Sequence, residues 1–132
     1  MEESLAPNIK QVIVMRHDLK MRRGKQIAQG AHASMAFLTR RLQSQSSINL
    51  ADFSANAQTW LMGLFAKVCV RCNSEVELMA IHDKAMALGL EVHLITDSGR
   101  TEFHGQPTRT CLAIKPDDAL KIDEVTGHLE LL

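Results

Sequence analysis

The residues QVIVM, from Gln11 to Met15, form a short and almost continuous apolar run that is rich in β-branched side chains. Three further runs have the same character: AKVCV (Ala66 to Val70), VHLI (Val92 to Ile95) and CLAI (Cys111 to Ile114). Runs of this length and composition are typical of strands, and their lack of polar alternation predicts strands that are covered on both faces. We therefore expect a sheet of four strands.

Two helical patterns separate these runs. The first spans Arg22 to Gln43 and lies between the first two strands. The second lies between the second and third strands, where Ser74 and Glu77 form a capping-box signature and Gly89 provides a stop. In the first helix, apolar residues at steps of three and four predict the face that packs on the core. These residues are Ile27, Ala31, Met35, Leu38 and Leu42.

The order of the elements predicts the topology. Two successive strand-helix-strand units imply right-handed crossovers and parallel strands. About a dozen residues without a helical pattern separate the last two strands, which is too few for a helical crossover, so these strands are expected to be antiparallel. We predict a single α/β domain with a four-stranded mixed sheet, helices on both faces and a short final helix near Ile122 to His128. The polar interval from Ser44 to Thr59 is expected to be a loop with a short helix or a mobile flap.

Length and composition are those of one globular domain, with 132 residues of which 45% are hydrophobic. We expect residues 1–9 to form a flexible tail and residues 10–132 to form the domain. The N-terminus lacks the apolar core of a signal peptide, and no stretch is apolar enough for a membrane span, so we expect a soluble, cytoplasmic protein with no membrane partner. An odd number of cysteines, three, argues against a disulfide framework.

The charges are unevenly distributed although the formal net charge is zero. From Lys10 to Arg41 there are eight basic residues and one acid, Asp18. This segment favours an anionic ligand, and a solvated helix face is the alternative explanation. Five of the basic residues flank the start of the first helix, where free backbone N–H groups favour phosphate: Arg16, Lys20, Arg22, Arg23 and Lys25. The segment has no Walker loop and no G-x-G-x-x-G spacing, so no nucleotide cofactor is indicated.

The third strand leads into the turn DSGRTEFHG, Asp97 to Gly105. Ligand sites in α/β sheets collect at the carboxyl ends of strands, and the carboxyl end of the first strand leads into the basic segment. The first helix presents three polar residues on one face, away from its apolar stripe: Lys25, Gln29 and His32. If the first and third strands run in parallel, Asp97 and Lys25 share a cleft, where a carboxylate can activate water beside a cation that stabilises an oxyanion. Ordinary turn chemistry is the alternative explanation of the motif.

Four landmarks, in order and with matching separations, resemble the type II (archaeal and eukaryotic-type) peptidyl-tRNA hydrolases. They are KQVIVMRHDLKMRRGKQIAQGAHAS (10–34), DSGRTE (97–102), TRTCLAIKP (108–116) and IDEVTGHLELL (122–132). The family has bacterial members, and we expect the chain to be one of them. The resemblance covers nearly the whole chain and implies hydrolysis of the ester that joins a peptide to the terminal ribose of tRNA. It also implies a mixed four-stranded sheet, no metal or organic cofactor and often a homodimer.

The resemblance assigns roles to individual residues. It implies five catalytic positions: Lys25, His32, Asp97, Thr101 and Thr110. We expect Asp97 to orient or partly deprotonate the attacking water, and Lys25 to stabilise the oxyanion with a backbone N–H near Gly99 or a threonine hydroxyl. His32 is expected either to polarise the leaving ribose oxygen or to position Lys25. Phosphates of the tRNA are expected to bind five arginines and lysines: Arg16, Lys20, Arg22, Arg23 and Arg100.

The chain departs from the family pattern in one loop, Glu102 to Thr108, which is one residue longer, so that Thr108 competes with Thr110 for the second threonine position. Two other functions are open: a tRNA-binding or regulatory module without turnover, and a small redox or interaction protein that uses Cys69 and Cys72. Residues three apart on a strand point to opposite faces, which favours a structural role for these cysteines. No histidine has the spacing of a zinc ligand, so no metal is expected.

Overall fold

Strand β1 (Ile9–Arg16) lies inside the sheet of the structure, a computed structural model that describes residues 8–100 and 102–132. The other elements follow in chain order: α1 (Arg23–Gln45), a 3₁₀ turn (Leu50–Asp52), α2 (Ala55–Met62), β2 (Lys67–Cys72), α3 (Glu75–Ala87), β3 (Val92–Asp97), β4 (Thr108–Asp118) and α4 (Ala119–Thr126). Each predicted apolar run forms the body of one strand.

The four strands form one mixed sheet in the order β2-β1-β4-β3. β1 and β2 are parallel, with Val12 opposite Val68, and β4 is antiparallel to both of its neighbours, β1 and β3. β3 therefore runs in the same direction as β1, and the carboxyl ends of β1, β2 and β3 meet at one end of the sheet. A bulge between Ile95 and Thr96 interrupts the register of β3 shortly before that end. The predicted mixed sheet with an antiparallel last pair is confirmed.

Alternate residues of β1 face two separate cores. Val12 and Val14 pack into the core that α3 and α4 cover, and Ile13 and Met15 pack beneath α1. α2 extends the α1 side of the molecule through its buried Trp60. Helices therefore cover both faces of the sheet, as the sequence predicts.

The face of α1 that packs on the sheet differs from the predicted one. Ile27, Met35 and Leu42 are 66%, 54% and 45% exposed, so the predicted apolar stripe is wrong. The fully buried residues of the helix are Gln29, Ala33, Ala36 and Phe37. The reason is that α1 is apolar on two sides. Its alanines allow a close approach to the sheet, which leaves the larger aliphatic side chains on another side of the helix.

The aliphatic side chains of α1 line an apolar groove of about 640 Å³ beside β2. We call this the α1–β2 groove. Its lining includes Ile27, Ala31 and Met35 from the helix, with Met15, Phe65 and Leu132 opposite them. Exposed apolar patches of this kind mark interaction surfaces. The apolar stripe predicted for the core therefore belongs to a candidate interaction surface.

Helix α3 begins and ends where the sequence predicts. Ser74 Oγ accepts a hydrogen bond from Glu77 N at 3.0 Å, and Gly89 follows the helix with a φ of +80°. The polar interval from Ser44 to Thr59 contains the end of α1, the 3₁₀ turn and the start of α2, which confirms a loop with a short helix.

Two predicted boundaries shift. Helix α4 begins at Ala119, three residues before the predicted start, because Asp118 caps it by accepting a hydrogen bond from Lys121 N at 3.2 Å. Ile9, assigned to the tail, is the first residue of β1, and residues 1–7 of that tail lie outside the described residues. Within residues 8–100 and 102–132, no helix combines the length and the hydropathy that a membrane crossing requires.

Candidate active site

Asp97 and Lys25 meet at the end of the sheet where β1 and β3 both terminate. Asp97 is the last residue of β3 and Lys25 lies in the first turn of α1. Lys25 Nζ lies 2.9 Å from Asp97 Oδ1, and the two side chains are only 14% and 12% exposed. The predicted convergence of these two residues in one site is therefore present in the structure.

Three donors hold the carboxylate of Asp97. Besides Lys25, Gln29 Nε2 donates to Oδ1 at 3.2 Å and the backbone N–H of Gly99 donates to Oδ2 at 2.8 Å. The hydrogen bond from Lys25 is the main cause that lowers the pKa of Asp97, with help from Gly99 and Gln29, and burial opposes it. Asp97 is therefore ionised at neutral pH.

Gln29 connects Asp97 to the interior of the protein. Its side chain is buried, and its Oε1 accepts a hydrogen bond of 2.5 Å from Oγ1 of the fully buried Thr110. Because the ionised carboxylate of Asp97 can only accept hydrogen bonds, the amide nitrogen of Gln29 must face Asp97, which leaves Oε1 to accept from Thr110. The sequence placed Gln29 beside Lys25 on one helix face but gave it no role. The sequence signal that could have indicated a role in the site was the position of Gln29, one helical turn after Lys25.

The turn after Asp97 depends on a glycine. Gly99 has a φ of +85°, and a Cβ at this position would lie 2.2 Å from the backbone oxygen of Gln106. Gly105 N donates to Gly99 O at 2.9 Å, which closes the loop, and the Phe103 ring centroid lies 5.9 Å from Lys25 Nζ. Thr101, one of the predicted catalytic residues, lies outside the described residues.

The other predicted catalytic residues occupy different surroundings. Thr110 belongs to the site through Gln29, whereas Thr108 Oγ1 donates to Gln106 O within the loop, so the geometry favours Thr110 for the second threonine position. His32 is exposed two turns along α1 from Lys25, about 10 Å along the axis, and lines a cavity with Thr96.

Arg16 does not face solvent as a phosphate ligand should. Its side chain is 10% exposed, and its guanidinium donates to Asp18 Oδ2 at 2.7 Å and to Arg109 O at 3.0 Å. The bond between Arg16 and Asp18 raises the pKa of the arginine and lowers that of the aspartate. Arg16 therefore supports the end of β1, and the prediction that it contacts phosphate is not supported by its surroundings.

The other four predicted phosphate ligands are exposed near the site, and we call them the basic rim: Lys20, Arg22, Arg23 and Arg100. Arg22 is typical, since its side chain is 87% exposed and its Nε lies 3.6 Å from Glu102 Oε1. An exposed ion pair of this kind is weak, so it does not prevent an arginine from contacting another anion.

The cysteines are unsuited to redox chemistry. Burial raises the pKa of Cys72 to about 11 and that of Cys111 to about 12, and it also raises the pKa of the exposed Cys69. Cys69 lies on the groove side of β2 and Cys72 in the core beneath α3, as expected for residues three apart on a strand. Thiols with raised pKa values are poor nucleophiles, and the part of the chain that the structure describes has no cluster of three or more His, Cys, Asp or Glu side chains suited to a metal.

A lysine-held carboxylate at the end of a mixed α/β sheet, beside an exposed basic rim, defines a hydrolase-like site for an anionic substrate. The family model described as peptidyl-tRNA hydrolase PTH2 matches residues 9–132. The chain belongs to this family, whose members hydrolyse peptidyl-tRNA. The family match confirms the predicted membership of the type II peptidyl-tRNA hydrolases.

Curated relatives agree with the family assignment. Peptidyl-tRNA hydrolase of Methanocaldococcus jannaschii is 40% identical over 94% of this chain and 100% of the relative, and that of Methanopyrus kandleri is 42% identical over 93% and 97%. The probable peptidyl-tRNA hydrolase 2 of Drosophila melanogaster is 39% identical over 97% of this chain and 64% of the relative. A solved structure of a protein of unknown function from Agrobacterium tumefaciens strain C58 is similar in fold alone, with a TM-score of 0.57, 11% identity, and coverage of 94% of this chain and 97% of the other.

Proposed function

We propose that Asp97 orients the attacking water in the hydrolysis of peptidyl-tRNA. A carboxylate offers about four lone-pair positions. Among the described residues, Lys25 and Gln29 use two positions on Oδ1 and Gly99 uses one on Oδ2, which leaves a position on Oδ2 for water. Because its pKa is lowered, Asp97 is a weak base, so we assign it orientation and partial rather than complete proton abstraction.

Lys25 is the proposed electrostatic partner of the developing oxyanion. Its ammonium lies 2.9 Å from Asp97 Oδ1, so an ester carbonyl attacked by water on Asp97 lies within its reach. The low exposure of both side chains strengthens this interaction relative to bulk water. We do not assign the Gly99 N–H to the oxyanion, because it already donates to Asp97. Thr110 acts through Gln29 as a positioning residue in this proposal.

The basic rim is the proposed contact for the tRNA phosphates. Lys20, Arg22 and Arg100 are exposed in the segments that flank Lys25 and Asp97 in sequence, and Arg23 is exposed at the start of α1, where it also lines the α1–β2 groove. Arg16 is buried in an ion pair and is left out. Each phosphate contact contributes about −0.7 to −0.9 to the slope of log affinity against log salt concentration. Four contacts therefore predict a slope of about −3. Substitution of one rim residue by alanine should make it shallower by about one.

Turnover of purified protein tests the proposal directly. We expect release of the N-acetyl amino acid from N-acetyl-aminoacyl-tRNA, with the unblocked aminoacyl-tRNA as comparison. Asp97→Asn should lower turnover by about 10²- to 10⁴-fold while tRNA binding is retained. Full activity of this variant would overturn the role of Asp97. A wild-type protein that binds tRNA without releasing the acyl group would be the non-catalytic module that the sequence left open.

We also propose a homodimer across the α1–β2 groove, working in the cytoplasm, where translation produces peptidyl-tRNA. Ile27 and Met35 lie four residues on either side of Ala31. An antiparallel two-fold pair of α1 helices centred on Ala31 would place Ile27 of one protomer against Met35 of its partner. Gly30 and Ser34, which also line the groove, are small enough to permit a close approach.

Light scattering coupled to gel filtration tests the dimer. We expect the mass of two chains for the wild type and of one chain for Ala31→Glu, because a buried, unpaired carboxylate disrupts an apolar interface. Ala80→Glu, an exposed alanine of α3 on the opposite face of the sheet, is the matched control and should remain dimeric. A wild type of single-chain mass at tens of micromolar would contradict the proposal.

A further inference from the structure

A polar trough leads away from Asp97 between β3 and α1. It consists of two neighbouring cavities that share Arg40, one of about 290 Å³ and one of about 330 Å³. The first lies next to the active site and is lined in part by His32, Thr39, Gln43 and Thr96. The second reaches Arg41, Ser44 and Glu91. We call the two together the β3 trough.

The strand beside this trough exposes its backbone. β3 pairs with β4 alone and is therefore an edge strand. Lys115 N donates to Glu91 O at 2.9 Å, so Glu91 and Lys115 are a hydrogen-bonded pair of the antiparallel ladder between β3 and β4. Because the two kinds of pair alternate in an antiparallel ladder, Val92 and Leu94 direct their N–H and C=O groups away from β4. Arg40 Nη2 donates to Leu94 O at 2.8 Å, so this carbonyl faces the trough with one lone pair used by Arg40 and the other left for a second donor.

We propose that the peptide moiety of the substrate binds along the β3 trough as an extended strand, with its ester at Asp97. The inference rests on the proposed function, because the reaction sets the position of the ester. Asp97 ends β3, so a peptide whose carboxyl end reaches Asp97 runs parallel to β3. Edge strands bind extended peptides through main-chain hydrogen bonds. Such contacts do not depend on side chains, which suits a substrate whose peptide sequence varies.

The distribution of charge separates the two halves of the substrate. The basic rim holds four exposed cations, and we assign the tRNA to it. In the trough, Arg40 and Arg41 are accompanied by Glu91, which also faces His93 at 2.6 Å and Lys115 at 3.5 Å. A carboxylate at its far end disfavours a polyphosphate strand.

The α1–β2 groove is a poorer site for the peptide. Its helix residues Ile27 and Ala31 lie on the side of α1 away from Lys25, at about 160° and 120° around the axis. A peptide would have to cross the helix to enter it from Asp97. The β3 trough, in contrast, begins at Thr96, the residue next to Asp97.

Substrates of increasing peptide length test the proposal. The distance from Thr96 back to Val92 is about 13 Å along an extended strand, which accommodates about three or four residues. We expect kcat/KM to rise from N-acetyl-aminoacyl-tRNA to a tetrapeptidyl-tRNA and then to level off. Replacement of the second peptide N–H by N-methyl should lower kcat/KM by about three- to tenfold, the effect of losing one hydrogen bond.

Substitutions in α1 test whether the rise of kcat/KM with peptide length depends on the β3 trough. Gln43→Ala and Arg40→Ala should remove much of the gain from peptide length and leave turnover of N-acetyl-aminoacyl-tRNA unchanged. Gln26→Ala is the matched control, since Gln26 is a glutamine of the same helix that lines the α1–β2 groove, and it should retain the gain. Arg22→Ala, in the basic rim, should weaken all substrates alike. Gln43 is exposed, so its substitution tests the trough even if Arg40→Ala destabilises β3.

Two results would overturn the inference while the proposed function stands. One is turnover that does not depend on peptide length. The other is an equal loss on every substrate for the Gln43 and Arg40 variants with a shallower salt dependence, which would show that the trough holds the tRNA strand. Absence of wild-type turnover on N-acetyl-aminoacyl-tRNA would refute the proposed function itself, and the inference with it.

Discussion

The hydrogen bond between Gln29 and Thr110 should contribute to stability and to catalysis by separable routes. Gln29→Met keeps an unbranched side chain of similar length but removes both the donor to Asp97 and the acceptor for Thr110. Thr110→Val removes the hydroxyl and keeps the shape. The double variant replaces both partners with apolar groups, so the three variants and the wild type form a double-mutant cycle.

The structure sets the size of the expected effects. Thr110 is fully buried, and its hydroxyl lies 2.5 Å from Gln29 Oε1. A buried hydroxyl without its acceptor costs about 1–3 kcal/mol, whereas replacement of both partners by apolar groups is close to neutral. We expect each single variant to lower the free energy of unfolding by about 2 kcal/mol and the double variant by only about 1 kcal/mol, which is a coupling of about 3 kcal/mol. For a domain of this size, 2 kcal/mol corresponds to a fall in Tm of about 6–10 °C.

The double variant should regain stability relative to the single variants but should not regain turnover. Gln29→Met and the double variant both lack the donor to Asp97 Oδ1, so turnover of N-acetyl-aminoacyl-tRNA should fall by about 10- to 100-fold in both. In a carboxyl NMR titration, the pKa of Asp97 should rise towards its ordinary value, because a donor to the ionised form is lost. Urea unfolding supplies the stabilities. Wild-type turnover in the double variant would refute the positioning role of Gln29, and purely additive stabilities would refute the coupling.

Two further predictions concern the turn after β3 and its acid sensitivity. Gly99→Ala should lower Tm and turnover strongly, because its Cβ would lie 2.2 Å from Gln106 O. The control is Gly105→Ala, which has a φ of +78° and no heavy atom within 4 Å and should cost only about 1–2 kcal/mol of backbone strain. Equal losses of Tm for the two variants in thermal unfolding would contradict the steric argument. The folded pKa of Asp97 lies below the ordinary 3.8, so its ionic contribution to stability is present above about pH 4 and is lost as the pH falls through the lowered pKa. The difference in unfolding free energy between wild type and Asp97→Asn should therefore shrink in acid, and a difference that grows below pH 4 would show that the sign is wrong.

The sheet was predictable because its signals are local. Each strand is a short apolar run, and the lengths of the connections decide between parallel and antiparallel neighbours. The placement of Asp97 beside Lys25 follows from the same reasoning, since strands that run in one direction bring their carboxyl ends together. These predictions needed only the order of the elements.

The packing of α1 was not predictable from periodicity. The helix is apolar on two sides, and the hydrophobic pattern selects the side with the larger residues, Ile27 and Met35. The side that packs on the sheet instead carries alanines and Gln29, whose burial is compensated by hydrogen bonds to Asp97 and Thr110. A buried glutamine has no signature in sequence because its partners come from β3 and β4. The burial of Arg16 was not evident from the sequence either, because its guanidinium pairs with the nearby Asp18 and also lies 3.9 Å from Glu75, which belongs to the distant helix α3.

The zero net charge of the chain is compatible with a polyanionic substrate because the charges are unevenly distributed along the sequence, with a basic segment from Lys10 to Arg41 and an acidic one from Asp117 onward. The basic rim lies at the Asp97 end of the sheet, while α4, on the face opposite α1, and its flanking segments carry the acids Asp117, Asp118, Asp123, Glu124 and Glu130. Screening limits the field of an exposed charge to about 8 Å at physiological salt, so in the proposed complex the rim would attract tRNA phosphates at short range. A uniformly basic protein would bind tRNA over its whole surface and hold most of it away from Asp97. In the proposed complex, binding at the rim would place the ester near Asp97, and the neutral balance of charge would limit unproductive complexes.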